Sequence, residues 1–463
     1  MIFHHFIGGK LMRVVFSWRM RLLVLVSLLS MNVLAKNDEP YFYTGLPVCS
    51  ISVDVPTGEI PRYQYIPSTI CIVEDADTLL YPVSVSIAGR GNSTWGHPKK
   101  PYKIKFDQKV SLLDMPEGKN FVLLANYCDK SLMRTAIGLT IGRTLQQPWV
   151  PEDRFVEFVI NGEHLGTYQL AESIKVSKNR VQLNDTGFMI EYDTHNYQQT
   201  WNFRTETYAY PMAFKHPDKE MTEEVYDYAC GYINEFEEAL EAPDYLKTRR
   251  YADYIDMESF AKWYYQKNLL QMEECNRYYL KADTTQESRL CMGPLWDFEW
   301  CLGVGLYYGE VRPNPYHFLE NKLYFGRIGE DPLFMEEVAK LHVRYRDKVR
   351  DDVLAMYDRL TEELARSQVL NFARWEILDK QVSIGALPLG TWEAEVDCDR
   401  QFFLAHLDFL DAQLLPYLPT NITSPQEETD TPDDIYNLLG QKMGSQQVAK
   451  GVYIIKGKKV IIR

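Results

Sequence analysis

A glycine-rich loop and two lysines are the first residues in this sequence whose types and spacing indicate a chemical role. The loop, Gly89-Arg90-Gly91-Asn92-Ser93-Thr94, joins a strand predicted at 83–87 to a strand predicted at 101–106. Because side chains alternate across a strand, Lys103 and Lys105 share one face of the second strand. Backbone N–H groups of such a loop can approach phosphates, whose charge the lysines would neutralise. An ordinary turn and a solvated strand face are the simpler alternatives.

Acidic residues stand at the end of a short apolar segment later in the chain. Residues 290–296 are predicted to form a buried strand that ends at Asp297, with Glu299 close behind. Mg²⁺ is held in proteins by one or two carboxylates together with phosphate oxygens. A glycine-rich loop with lysines, facing such carboxylates, is the layout that nucleotide phosphotransfer requires. For Asp297 the alternative is an acidic residue of a surface loop.

The elements that must position these residues change along the chain from strands to helices. Segments 155–160 and 165–170 flank Asn161-Gly162, the strongest short signal for a β-hairpin. Asp129 is predicted to cap a helix that closes before Pro148. Helical spacing without breakers predicts three longer helices, at 221–240, 251–272 and 332–366. The fold class predicted is therefore α+β, with a β-rich N-terminal lobe and an α-rich C-terminal lobe.

Both ends of the chain differ from its centre. Four basic residues, an apolar run and Ala35 predict a signal peptide over residues 1–35, with an uncleaved anchor as the alternative. Export would place the protein in the periplasm, at the cell surface or in the medium, with no stable membrane span after cleavage. The remaining predicted units are a β-rich extension (36–80), the main domain (81–419), a linker (420–434) and a short β segment (435–463).

Charge and cysteine usage limit the classes of function. The chain has 50 Lys and Arg against 64 Asp and Glu, a net charge of −14, which becomes −18 without residues 1–35. An acidic protein of this kind does not grip nucleic acid through a broad basic surface, so an anionic ligand requires a local basic pocket. None of the eight cysteines forms a C-x-x-C pair, which argues against zinc ribbons and thioredoxin-type chemistry. Disulfides and buried free thiols both remain open.

Several blocks of the sequence, in register and in family order, resemble the spore-coat CotH kinase family. The blocks are 89–95, 98–105, 123–134, 161–172, 187–193 and 293–299. The resemblance covers about residues 80–305. It implies an atypical, two-lobed, protein-kinase-like fold that transfers the γ-phosphate of ATP to Ser or Thr of a protein acceptor. The cofactors implied are ATP and Mg²⁺ or Mn²⁺, and the acceptor protein is not identified.

The resemblance also implies positions for nucleotide-binding residues. Five loop residues are expected near the phosphates: Gly89, Arg90, Gly91, Asn92 and Ser93. One of three lysines is expected to contact the phosphates: Lys100, Lys103 or Lys105. Strand geometry favours Lys103. Arg134 is expected to support the lysines, with an exposed helix charge as the alternative, and Glu172 is expected to border the adenine.

The acidic candidates follow the family pattern only in part. Asp297 resembles the metal-binding Asp of a Trp-Asp-Phe-Asp block and is also a candidate catalytic residue, while Glu299 stands in place of the second Asp. The family's catalytic loop resembles Glu-Leu-x-Gly-Asn-x-Asp, whereas residues 268–274 read Asn-Leu-Leu-Gln-Met-Glu-Glu. Glu274 is therefore the candidate base, and Met272 replaces the Asn. A carboxylate displaced by about one methylene can cost on the order of 10²-fold in rate.

These departures leave more than one functional interpretation open. The first is an exported Ser/Thr kinase, and the second is a pseudokinase that acts as a surface binding or assembly module. The second gains weight because ATP is scarce outside the cytoplasm. A carbohydrate-acting enzyme would need two opposed carboxylates in an aromatic cleft, and no sequence block specifies such a pair. The last segment, 435–463, resembles the C-terminal sorting domains of Bacteroidetes secreted proteins, with a small β appendage as the alternative.

Overall fold

The computed structural model describes most of the chain between residues 44 and 419 and four short stretches of the tail. The described ranges are 44–74, 77–272, 277–304, 323–382, 388–419, 435–436, 442–443, 451–455 and 458–462. The predicted signal peptide (1–35), the predicted linker (420–434) and Glu274 lie outside these ranges.

Seven strands of the N-terminal half form a closed barrel in the order β1-β2-β3-β4-β5-β7-β6. They are β1 (Val48–Val53), β2 (Ile66–Glu74), β3 (Asp77–Gly89), β4 (Tyr102–Val110), β5 (Gly118–Leu124), β6 (Asp153–Ile160) and β7 (Glu163–Glu172). Neighbours in the barrel pair antiparallel except β1 and β6, which close it in parallel. The boundary predicted between residues 80 and 81 falls inside β3, and β1 and β2 from the predicted extension belong to this same barrel.

The barrel follows from alternating side chains and tight turns. Along β4, Tyr102, Ile104 and Phe106 point into the apolar interior, while the lysines between them point outward, as the alternation predicts. The predicted hairpin is confirmed, because β6 and β7 pair on either side of Asn161 and Gly162, whose φ angles are 51° and 80°. Positive φ at both turn residues is the conformation that Asn-Gly favours.

A second sheet lies beyond the barrel in the order β12-β11-β8-β10-β9. Its strands are β8 (Phe188–Tyr192), β9 (Asn202–Arg204), β10 (Pro211–His216), β11 (Tyr278–Lys281) and β12 (Leu290–Met292). All of its pairings are antiparallel. The strand predicted to end at Asp297 ends five residues earlier, at Met292, so Asp297 belongs to the loop that follows. Pro294 lies two residues after the end of this strand and cannot donate a backbone hydrogen bond to a ladder.

Helices dominate the C-terminal half, as predicted. They are α1 (Arg134–Thr144), α2 (Glu223–Glu241), α3 (Tyr245–Thr248), α4 (Met257–Leu269), α5 (Tyr324–Ile328), α6 (Pro332–Leu364), α7 (Ser367–Arg374) and α8 (Trp392–Leu414). The side chains of Thr222 and Asp331 accept the N-terminal N–H groups of α2 and α6, which satisfies donors that have no partner inside the helix. The predicted cap at Asp129 was wrong, because α1 begins at Arg134, although the Asp129 carboxylate still accepts the Arg134 N–H at 2.9 Å.

The described part of the tail forms a small separate sheet in the order β14-β13-β15-β16. Its strands are β13 (Ile435–Tyr436), β14 (Lys442–Met443), β15 (Gly451–Ile455) and β16 (Lys458–Ile462). Among the described residues, none of the helices has the length and apolarity needed to span a bilayer. The chain is thus a mixed α+β protein, β-rich first and helical second.

Candidate functional site

A cavity of about 930 Å³ lies where the barrel meets the second sheet. The barrel contributes the loop 89–94 and Lys103, and the second sheet contributes residues 191–195 with Lys215 and Arg277. The third wall is the loop Trp296–Trp300. The cavity therefore brings together two groups that are about 200 residues apart in the sequence, namely the glycine-rich loop and the acidic segment.

Two backbone hydrogen bonds to residues outside the glycine-rich loop hold its first residues in place. Gly89 N–H donates to Pro61 O at 2.9 Å, and Arg90 N–H donates to Pro101 O at 3.1 Å. Those two donors are occupied within the fold. Gly91 has φ +86°, and a Cβ there would lie 1.9 Å from Thr94 Oγ1, so the turn requires glycine. Phosphate contacts from this loop would come from Gly91, Asn92 and Ser93.

Arg90 and Lys103 are among the cations at the cavity that have no ion-pair partner in the part of the chain that the structure describes. Arg90 is half-buried, with its guanidinium carbon 5.7 Å from the Trp296 ring centroid. Lys103 is half-buried, with Nζ 5.0 Å from the Tyr65 ring centroid. Burial lowers the pKa of both side chains, and the nearby positive charge of Arg90 lowers that of Lys103 further. An anionic ligand would therefore stabilise the charged form of each side chain.

The acidic wall is positioned by alternating apolar anchors. Trp296, Phe298 and Trp300 are buried, whereas Asp297 is exposed and Glu299 is half-buried. Phe298 packs against α1 so closely that a Cβ on Gly138 would lie 2.2 Å from its ring. This close contact requires glycine on the helix. The two carboxylates between the anchors are thereby directed to the cavity.

Glu299 is the more constrained of the two acids. Its Oε1 accepts the Cys128 backbone N–H at 2.7 Å. Burial, together with the negative charges of Asp129 and Asp297, raises the pKa of Glu299 to about 7 against the opposing effect of the backbone hydrogen bonds. Asp297 sits at φ +63°, an uncommon backbone conformation for a residue other than glycine.

Comparison with known proteins decides the family. The CotH kinase protein family matches residues 87–407. This chain belongs to the CotH kinase family. None of the curated proteins is a match. The matched range contains the whole glycine-rich loop, Lys103 and the acidic wall.

In this CotH kinase domain, three other residues that the sequence suggested for nucleotide binding lie away from the cavity. Lys100 Nζ donates to Trp95 O at 2.5 Å, and Lys105 is exposed further along β4. Arg134 is 2% exposed and forms ion pairs with Asp129 and Asp399. It is therefore not the exposed helix charge that the sequence suggested as the alternative. None of these three side chains lines the cavity.

Glu172 is likewise buried outside the cavity. Its Oε1 accepts from Arg180 Nε at 3.2 Å, and its Oε2 accepts the Glu152 N–H at 3.1 Å. Burial raises the pKa of Glu172 despite these donors. In this conformation both carboxylate oxygens are already used.

Lys99 is the site residue that the sequence reasoning missed. It lines the cavity and is 1% exposed, and its Nζ donates to Thr167 O at 2.5 Å and to Asn371 Oδ1 at 2.8 Å. Burial lowers the pKa of Lys99 to about 7, although the nearby acids, first among them Glu157, oppose this. The strand pattern could not reveal it, because Lys99 precedes β4. The only signal was its place between two prolines in the block 98–105.

Asp297 and Glu299 are residues of this cavity that could hold a divalent cation. Among the described residues no group of three or more His, Cys, Asp and Glu side chains could hold a metal. Mg²⁺ in phosphotransfer sites needs only one or two carboxylates, because phosphates complete its coordination. The mutual repulsion of Asp129, Asp297 and Glu299, which raises the pKa of Glu299, is the environment that a cation would relieve. Asp297 and Glu299 therefore fit as oxygen donors.

Proposed function

We propose that this protein transfers the γ-phosphate of ATP to Ser or Thr of a protein acceptor outside the cytoplasm, using Mg²⁺ or Mn²⁺. The observation that carries the proposal is the single cavity in which the loop 89–94, Arg90 and Lys103 face Asp297 and Glu299. Membership in the CotH kinase family supports it. The family also supports a two-lobed arrangement, with the barrel as one lobe and the helices as the other.

Each residue has a role that its environment suits. Gly91, Asn92 and Ser93 bind phosphate oxygens, and Arg90 and Lys103 neutralise their charge at a half-buried site. Asp297 and Glu299 hold the divalent cation, which supplies further neutralisation of the phosphates when bound. Glu274 accepts the proton of the acceptor hydroxyl in this proposal, and its structure lies outside the described residues.

The second candidate is a pseudokinase that binds nucleotide weakly and acts as a binding or assembly module. One observation favours it specifically. Glu299 already accepts a backbone N–H, and its raised pKa, about 7, leaves a part of the population protonated at neutral pH. A protonated carboxyl is a poor ligand for Mg²⁺. Binding without transfer is the expected property of such a protein.

The two candidates are separated by a transfer assay on the protein without residues 1–35. The protein is incubated with γ-labelled ATP and Mg²⁺ or Mn²⁺, and label incorporation is compared with that of Asp297→Ala. Because Asp297 is proposed to hold the divalent cation that neutralises the phosphates, we expect incorporation to fall by about 10²-fold or more.

Asp114→Ala is the matched control for that assay. Asp114 is also an exposed aspartate at positive φ, 62°, but it lies in the turn before β5 and does not line the cavity. We expect it to leave transfer unchanged. Incorporation that is absent in the wild type, or equal in Asp297→Ala, would refute the kinase. Thermal stabilisation by the nucleotide without transfer would support the pseudokinase.

A further inference from the structure

A second cavity, about 280 Å³, also borders the second sheet and shares no lining residue with the first. Its walls are α4, the strands β11 and β12, and the two segments 147–149 and 180–183. The volume is near the lower end of the range of about 300–1,000 Å³ that is typical of small-molecule sites. It suits a compact ligand, not a nucleotide.

The walls of this second cavity are mainly apolar and rigid. Five large apolar side chains line it: Trp149, Leu183, Trp263, Leu280 and Met292. The Trp263 ring stacks on Phe325, with centroids 5.2 Å apart and planes 5° from parallel. Trp263 is 1% exposed, so its position is fixed by the helical core. An apolar ligand would meet a preformed surface here.

One polar group that lines the second cavity is a hydrogen-bond donor without an acceptor in the described structure. The indole Nε1 of Trp263 is buried and has no hydrogen-bond partner among the described residues. A buried donor without an acceptor destabilises the fold, so an acceptor oxygen placed beside it would be stabilised. By contrast, Ser259 Oγ accepts the Met292 N–H at 2.8 Å, and the Gln147 amide donates to Gln266, so these groups are satisfied.

The charged residues that line the second cavity are all basic, in a protein that carries a net charge of −14. They are Lys262 and Arg180, and Arg180 is already paired with Glu172 at 3.2 Å. Lys262 Nζ pairs with Glu258 at 2.9 Å, but the Glu258 side chain is 61% exposed. Exposed pairs of this kind contribute little, so the ammonium can exchange Glu258 for another carboxylate.

We propose that the second cavity binds a small apolar molecule that carries a carboxylate. Its hydrocarbon body lies against Trp149, Leu183 and Met292, and its carboxylate accepts hydrogen bonds from Trp263 Nε1 and Lys262 Nζ. This site is independent of the nucleotide cavity and does not rest on the proposed kinase activity.

The probe is 4-phenylbutyrate, titrated into the full protein by calorimetry, with 4-phenylbutylamine as a probe of similar shape and opposite charge. We expect the acid to bind and the amine not to bind. Lys262→Met should weaken binding by about tenfold, because a charge-assisted hydrogen bond is lost. Trp263→Phe keeps an aromatic ring but removes the N–H together with the five-membered ring of the indole, and should weaken binding by about fivefold. Lys340→Met, another helix lysine paired with partly exposed glutamates, should bind like the wild type.

Lys103→Met decides which cavity the probe occupies. Binding that survives Lys103→Met and weakens in Lys262→Met supports the proposal, even if Trp263→Phe fails to fold. The proposal is overturned if neither probe binds at millimolar concentration, if the amine binds as well as the acid, or if Lys262→Met binds like the wild type. Loss of binding in Lys103→Met would assign the probe to the first cavity and would also overturn it.

Discussion

The rim of the barrel and the junction of α1 with α8 both contain basic residues that the sequence suggests as ligand candidates. The two regions differ in whether these residues have acidic partners. At the rim, Arg90 and Lys103 are half-buried and have no ion-pair partner among the described residues. At the junction, Arg134 is enclosed between Asp129 and Asp399. The difference shows that a place in a sequence motif does not make a basic side chain available to a ligand. Availability depends on whether the fold has already neutralised its charge.

Lys99 shows a third state between these two. It is as buried as Arg134, but carbonyl and amide oxygens hold its Nζ instead of a carboxylate. Burial without a paired charge lowers its pKa to about 7. The comparison therefore predicts three separate consequences of removing a basic side chain: loss of stability, a changed pH dependence of stability, and loss of ligand affinity.

The largest effect is expected at the junction. Arg134→Met leaves Asp129 and Asp399 buried without their partner, and should lower the free energy of unfolding by about 3–5 kcal/mol. Denaturant unfolding followed by circular dichroism measures this change. Arg143→Met is the control on the same helix, because its ion pairs with Glu152 and Asp153 are partly exposed. Its cost should be about 1 kcal/mol or less. An equal loss of unfolding free energy in the two variants would contradict the difference between the buried and the partly exposed ion pairs.

A smaller effect is expected at Lys99, and it depends on pH. In the folded state the pKa of Lys99 is about 7, against 10.5 for an ordinary lysine. Between these two pKa values Lys99 is protonated in the unfolded chain but mostly neutral in the folded protein. The free energy of unfolding should therefore rise with pH, by up to about 1.4 kcal/mol per pH unit. Lys99→Met should lack this rise, whereas Lys105→Met should retain it. Unfolding measured from pH 7 to 10 tests the difference, and parallel profiles for the two variants would contradict it.

Local patterns predicted much of the fold. Period-two alternation placed β4, and Asn161-Gly162 placed the turn between β6 and β7. Helical spacing placed both ends of α2 and α6 to within two residues, but the helix predicted at 251–272 began six residues before α4 does. Barrel closure could not be predicted, because the parallel pairing of β1 with β6 joins residues more than 100 positions apart. No local signal specifies such a contact.

The candidate site was predicted in part, for a similar reason. The loop 89–94, Lys103, Asp297 and Glu299 come together in one cavity, as the layout of phosphotransfer suggested. The surroundings of Arg134 could not be foreseen, because Asp399 is 265 residues away. Lys99 was missed because its burial depends on oxygens of Thr167 and Asn371.

The most direct test of the central claim, that the first cavity binds a nucleotide through its unpaired cations, is a calorimetric titration. Mg²⁺ with AMP-PNP, an ATP analogue that is not hydrolysed, is titrated into the wild type, Lys103→Met and Lys105→Met. Lys103 and Lys105 share one face of β4, but only Lys103 lines the cavity. We predict one saturable site, about tenfold weaker in Lys103→Met and unchanged in Lys105→Met. Absence of binding, or equal affinity in all three proteins, would contradict the account.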